Sequence, residues 1–402
     1  MDKRVFSVYL EKPDSEVCTA LELPASPWEV QDALDKVRLQ EDEELYLEIA
    51  KYHDFIYLLP HFSDMDISLN ELNDLAGRLA VLDDVQQLMF NGLFHLKVRE
   101  RKEQASGILT MQDCRDLAVS AGADCCHVVL DAITDEQLGR FYAENDFVRE
   151  TEGLPDHVFE LLNFAKIGKQ MREAEGGVFA QNGLIGTKGY IVQREELQAA
   201  PPCPKALPPK PDYLFRLKLG LHPDFGGDRQ TTLTLPATEA ELAAAQVELG
   251  TQYWENAVIL DYDGIIPYAA DFADLPAELE AFNEFAGSVE KIPQKQISTL
   301  KALLDYLEVT KLEDAITLAE NVDSYVLTGT ISSPADMAIE HIRFVAGKEN
   351  SDLISKHLNL YAYGQAVIQQ NNATLSPYGL LHRADFQPML KPVQESMEMH
   401  MQ

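Results

Sequence analysis

The run Val258-Ile259-Leu260-Asp261-Tyr262-Asp263-Gly264 carries the sharpest chemical pattern in the chain. Alternate residues of a strand share one face, so an apolar strand ending this way presents two carboxylates together. One aspartate could attack a phosphoryl group while the second serves as general acid, with Thr328 after Tyr325-Val326-Leu327 as a supporting hydroxyl. That chemistry needs Mg²⁺ held by a later acidic pair at a strand end. The later acids Asp336, Glu340, Glu349, Asp352 and Asp385 are scattered. Cys125-Cys126-His127 with Cys114 offers metal-binding residue types, but adjacent residues on a strand face opposite ways, and zinc sites use spaced cysteine pairs. No H-E-x-x-H, P-loop, G-x-G-x-x-G or G-x-S-x-G occurs, and Gly186-Thr187-Lys188-Gly189 lacks phosphate-loop spacing. The expectation is a protein without cofactor, metal or catalytic residue, which acts through a surface.

The chemistry that remains is charge. Against 33 lysines and arginines stand 66 aspartates and glutamates, a formal net of -33. Such a chain repels nucleic-acid backbones and anionic membranes and is steered toward basic surfaces. The excess is shared: residues 1–193 hold 36 acids and 18 bases, and residues 213–402 hold 27 and 12. The carboxylates are interleaved with apolar core positions, so folded elements hold them at fixed spacings. The set expected to form a collective partner-binding surface is Glu41, Asp42, Glu43, Glu44, Asp64, Asp66, Asp83, Asp84, Asp113, Asp116, Asp135, Glu136, Asp261, Asp263, Asp271, Asp274, Glu278 and Glu280.

The elements that must position these acids occur twice. The proline-rich stretch 194–212 reads as a semi-rigid linker between parts of similar length. Leu21-Glu22-Leu23-Pro24 answers Leu233-Thr234-Leu235-Pro236. Leu72 through Gly77 answers Phe282 through Gly287, Asp113 answers Asp314, Leu162-Asn163 answers Leu358-Asn359, and Gly183-Leu184 answers Gly379-Leu380. The order is kept while the offset drifts one way, from 212 to 196, as it does when one copy carries small insertions. Capping boxes recur at Ser26 and Thr238, each after an alternating strand and before a second one. Ser68 opens a helix with Leu69, Leu72, Leu75 and Leu79 on one face; Pro276 opens its counterpart and Pro293 separates the next. Further helices are expected from Thr110, Thr310, Thr134 and Ser333. The fold class is therefore α+β: two tandem elongated units, at 1–193 and 213–382, followed by a tail at 383–402. Each unit is a small β/α module, a helical middle and a second small β/α module.

This arrangement resembles the ArdA antirestriction family. The early strand pair ends in LELP or LTLP before a capped helix. Ile259-Leu260-Asp261-Tyr262-Asp263 is similar to the family's I-x-D-Y-acid segment, and the Asn73 and Asn283 segments are similar to its E-L-N-x-L helix start. The closing segments resemble one in which an AYG-type turn precedes a final strand; this is Ala362-Tyr363-Gly364 in the second copy and Lys166-Ile167-Gly168 in the first. The resemblance implies an acidic DNA mimic, encoded on mobile elements, that occupies the DNA-binding cleft of type I restriction–modification enzymes. It implies no direct contact with nucleic acid or membrane. Two units in one chain imply a monomeric pseudo-dimer or a homodimer.

Two other readings stand beside it. One is a mobile-element interaction module with the same fold and no mimicry. The other is a Mg²⁺-dependent phosphatase using Asp261 and Asp263, since that segment also looks like the first motif of haloacid-dehalogenase-type enzymes. The N-terminal residues show no apolar signal region, no apolar run reaches membrane-spanning length, and five irregularly spaced cysteines fit a reducing compartment, so a cytoplasmic location is expected.

Overall fold

A computed structural model describes residues 3–13, 17–40, 43–63, 65–103, 109–123, 125–151, 153–183, 186–225 and 227–389. The expected acids Glu41, Asp42 and Asp64, and most of the expected tail, lie outside the described residues.

The first repeat runs β1 (Phe6–Glu11), β2 (Cys18–Leu23), α1 (Pro27–Val37), β3 (Tyr46–Lys51), α2 (Leu59–Phe62), α3 (Leu69–Ala80), α4 (Asp84–Glu103), α5 (Met111–Gly122), β4 (Cys126–Leu130), α6 (Asp135–Glu144), α7 (Asp156–Phe159), α8 (Phe164–Glu175), β5 (Val178–Gln181) and β6 (Lys188–Gln193). The second runs β7 (Phe215–Leu221), β8 (Gln230–Leu235), α9 (Glu239–Leu249), β9 (Ala257–Gly264), α10 (Leu279–Glu290), α11 (Gln294–Tyr306), α12 (Leu312–Glu320), β10 (Tyr325–Thr328), α13 (Pro334–Ala346), α14 (Lys348–Ser355), α15 (Leu360–Gln370), β11 (Thr374–Ser376) and β12 (Gly379–Arg383). The fold is α+β with small three-stranded sheets. The strand orders match between repeats: β2-β1-β3 with β8-β7-β9, and β4-β6-β5 with β10-β12-β11.

Local chemistry sets the helix starts. Ser26, Ser68, Thr110, Thr238 and Ser333 each accept from the third residue of the following helix, whose carboxylate bonds back to the cap. Two expected starts shift. Helix α12 begins behind Lys311 without a side-chain cap, not from Thr310. Pro276 lies in a turn, and α10 begins at Leu279. The repeats also share a clamp. Asn73 accepts from the Ala25 N–H and donates to the Ala25 carbonyl at 2.8 and 2.9 Å. Asn283 does the same with Ala237 at 2.7 and 2.9 Å.

The closing segments depart from expectation. Ala362-Tyr363-Gly364 is no turn; it lies within α15, as Lys166-Ile167-Gly168 lies within α8. Glycine is kept because helices pack closely there. A methyl at Gly364 would overlap the Pro334 carbonyl of α13, and one at Gly168 would overlap the Asp135 carbonyl of α6. Sheet register also revises one correspondence. Val128 faces Ile191 on β6 as Leu327 faces Leu381 on β12, so Gly379 answers Gly189, not Gly183. The β5–β6 connection is simply longer than the β11–β12 one.

The chain divides into two compact units. The first comprises Met1–Tyr9, Ala20–Ala25 and Leu47–Pro208; the second comprises Leu10–Thr19, Ser26–Tyr46 and Pro209–Gln402. Most of the proline-rich stretch is therefore part of the first unit. There Asp116 accepts from the Ala200 N–H at 2.8 Å, and Arg115 donates to the Pro201 carbonyl at 2.5 Å. Helix α1, by sequence a piece of the first repeat, belongs to the second unit. Trp28 of α1 joins a core that also holds Phe215, Phe282, Phe285, Leu300, Leu303 and Leu381. One core thus links the first sheet of that unit, its middle helices and one face of its last sheet, while Ile331, Ile368 and Leu380 form a separate small cluster.

Candidate interaction surface

Helices α10, α11 and α12 pack together in the second unit and carry its densest charge. Between positions 271 and 323 twelve carboxylates stand against four lysines, and one of those, Lys301, is wholly buried. Asp271, Asp274, Glu278, Glu280, Glu284, Glu290, Asp305, Glu308, Glu313, Glu320 and Asp323 are exposed, and Asp314 is half-buried. Amphipathic spacing explains why. The core takes Leu279, Phe282, Phe285, Ala286 and Val289 from α10, which leaves Glu280 and Glu284 one turn apart on the outer face. Glu290 and Glu320 end their helices and Asp305 lies in the last turn of α11, where the helix dipole disfavours negative charge by about 0.3–1 kcal/mol each. These carboxylates stand where local stability does not ask for them. Sequence reasoning had included only Asp271, Asp274, Glu278 and Glu280 from this group; apolar periodicity was the signal that could have added the rest.

The first unit is different. Its corresponding acids are interleaved with bases and largely paired. Asp113 is held by Arg101 at 2.7 Å, Asp135 by Arg172 at 2.7 Å, and Asp66 by Lys205 at 2.6 Å. Asp74 lies between Arg78 at 2.8 Å and Arg115 at 2.6 Å. Burial pushes the carboxyls of Asp74 and Asp113 up, but Arg78 and Arg115 at Asp74, and Arg101 with the Thr110 hydrogen bonds at Asp113, outweigh it and hold both below the usual carboxylate range. Asp83 is exposed and caps α4 through the Val85 and Gln86 N–H groups, and Asp84 is exposed beside it. Glu136 is also exposed. Asp116 is committed to the backbone at Ala200. In the second unit, Glu43 pairs with Lys12 at 2.7 Å while Glu44 is exposed.

Asp261 and Asp263 part company. Asp261 is exposed, whereas Asp263 is 4% exposed and turned inward. One of its oxygens accepts from the Trp28 N–H at 3.1 Å and the other from the Tyr213 hydroxyl. Asp263 thus anchors the start of α1 and is not a surface carboxylate. A second internal anchor lies further along that helix. Lys301 donates to Asp32 at 2.8 Å and to Asp35 at 3.1 Å, and Tyr378 donates to Asp32 at 2.8 Å. Nothing in the local sequence marked Lys301 as internal.

Among the described residues, no cluster of three or more histidine, cysteine, aspartate or glutamate side chains is placed to hold a metal ion. Cys125 is buried and Cys126 half-buried. Burial, with Cys125 alongside, pushes the Cys126 thiol up to about 12, which keeps it protonated and unreactive. Among those residues, no helix is long and apolar enough to cross a membrane. No family model matches the chain, and no curated relative matches it.

Proposed function

We propose that this is an acidic interaction protein whose second-unit helices α10–α12 occupy a basic cleft in a partner. The partner class follows from the charge: a protein surface built to hold a polyanion, which for exposed carboxylates on several packed helices means a nucleic-acid-binding cleft. With the tandem β/α organisation and the segment resemblances above, the particular reading is an ArdA-like DNA mimic that inhibits type I restriction–modification enzymes. The observation that carries it is the concentration of exposed acids between Asp271 and Asp323, among them Glu280, Glu284, Glu290, Glu313 and Glu320 on the three helices. Helix-end carboxylates at Glu290 and Glu320, kept against the dipole, support a role in binding over one in folding.

No single carboxylate is indispensable on this reading, because each contributes through a shared field. The test is inhibition of a purified type I methyltransferase, with DNA as competitor. Inhibition relieved by excess DNA supports the reading. Binding that DNA does not relieve would instead mark an interaction module without mimicry. The phosphatase reading gains no support from the site, since both oxygens of Asp263 are already engaged by internal donors.

A further inference from the structure

Within the second unit a cleft of about 1020 Å³ opens between the end of α1, the start of α11 and the connection from β10 to α13. Its walls are unusual for so acidic a protein. Arg38 and Lys295 both line it, and neither has a carboxylate within ion-pair distance among the described residues. Arg38 donates to the Ser332 hydroxyl at 2.6 Å and to the Pro377 carbonyl at 3.4 Å, both neutral, and its Nε is left without a partner. The two acids in the wall are already committed. Asp35 accepts from Lys301, and Asp336 accepts from the Ser332 and Ser333 N–H groups at 3.0 and 2.9 Å. With Lys12 of the wall paired to Glu43, Arg38 and Lys295 face the cavity as two cations against the single charge of Asp336, which its neutral backbone donors do not remove.

The backbone adds an independent observation. Arg38 ends α1 in the left-handed region, at φ 58. Glycine is the usual residue there, because a side chain is strained in that conformation. The second repeat has Gly250 at the answering position, with φ 75. Val85 and Asp131 likewise stand where the second repeat has Lys295 and Thr330. The cationic and hydroxyl groups are thus peculiar to this cleft and do not belong to the repeated scaffold.

We infer that this cleft binds a small, multiply charged oxyanion. Lys295 supplies a mobile charge, the Arg38 guanidinium a fixed one, and Ser298 and Thr330 hydroxyls in the wall complete the donors. The volume is that of a metabolite-sized ligand, well beyond a single inorganic ion. The site is independent of the acidic face of α10–α12, and its failure would leave that reading intact.

Calorimetric titration of the full chain with pyrophosphate and with citrate, at constant ionic strength, tests it; the two arms separate phosphate from carboxylate sources. Saturable binding of at least one is expected. It should weaken about tenfold or more in Lys295→Ala, as expected for loss of one charge-assisted contact. It should weaken similarly in Arg38→Gly, which suits the backbone, and stay unchanged in Lys356→Ala, an exposed lysine outside the cleft. No saturable binding, or equal binding in Lys295→Ala, overturns the inference. Lys295 is exposed, so its replacement tests the site even if Arg38→Gly unfolds.

Discussion

The Lys301 ammonium, with no exposed surface, lies 2.8 Å from the Asp32 carboxylate, and this contact fastens α1 within the second unit. The answering residue of the first repeat is Asn91, whose amide donates to the Gln181 carbonyl at 2.7 Å. One position on a repeated helix thus ties that helix to a strand in one unit and anchors a borrowed helix in the other. Replacing Lys301 by Met leaves the buried Asp32 with Lys36 alone, 2.8 Å from its other oxygen, and takes the cation from Asp35. Breaking a buried pair from one side typically costs about 3–5 kcal/mol, and the Lys36 that remains on Asp32 should keep the loss at or below the low end of that range. Denaturant unfolding followed by tryptophan fluorescence measures it, since Trp28 and Trp254, the two tryptophans of the chain, both belong to the second unit. Adding Asp32→Leu to Lys301→Met should recover much of the loss.

The same anchor sets an acid limit. Burial pushes the Asp32 carboxyl up, but Lys301 and Lys36 outweigh it and hold it below its ordinary 3.8. The unfolded chain therefore binds the proton first, so the stabilisation is complete above pH 3.8 and is lost as pH falls through the folded value. Tryptophan fluorescence should report weakening of the second unit only below about pH 4, and Asp32→Asn should flatten that part of the profile.

Helix crossings give a prediction for each unit. Gly168→Ala and Gly364→Ala place a methyl onto a carbonyl oxygen of the neighbouring helix. Helix propensity alone would favour alanine by about 1 kcal/mol, so destabilisation would mark the crossing as the reason for glycine. Both variants should lower Tm, whereas Gly287→Ala on α10, where nothing lies within 4 Å, should not.

These cases also separate what was legible in the chain from what was not. Capping boxes at Ser26, Ser68, Thr110, Thr238 and Ser333, and the strands beside them, were legible because a cap and its carboxylate are three residues apart. Gly364 was misread as part of a turn because glycine disfavours helices locally, and only the neighbouring helix reverses that preference. The acids were legible as acids, but their commitments were not. Asp113 and Arg101, Asp263 and Trp28, and Asp32 and Lys301 meet through tertiary packing that no local spacing encodes. For the same reason, the even division of charge between the halves hid the contrast between a mosaic in the first unit and a nearly unbroken acidic set on α10–α12.

Glu280 and Glu284 repel one another across one helical turn. Like-charge neighbours at this spacing cost about 0.2–0.5 kcal/mol. The double change Glu280→Gln, Glu284→Gln relieves that repulsion but removes an acid that the dipole favours in the first turn of α10, so the stability of the second unit should change little while partner binding weakens. Thermal unfolding read beside an inhibition assay checks both halves of that statement. A variant both less stable and fully inhibitory would run against it.

The most direct measurement is the affinity for a purified type I methyltransferase as ionic strength rises from low to physiological. A face that replaces a polyanion in a basic cleft should bind with a steep inverse dependence on salt, because exposed charges are screened over about 10 Å at 0.1 M. Neutralising Glu280, Glu284, Glu313 and Glu320 together should reduce that slope more than neutralising Asp83, Asp84 and Glu136. Binding that is absent, or indifferent to salt and to these changes, would contradict the account.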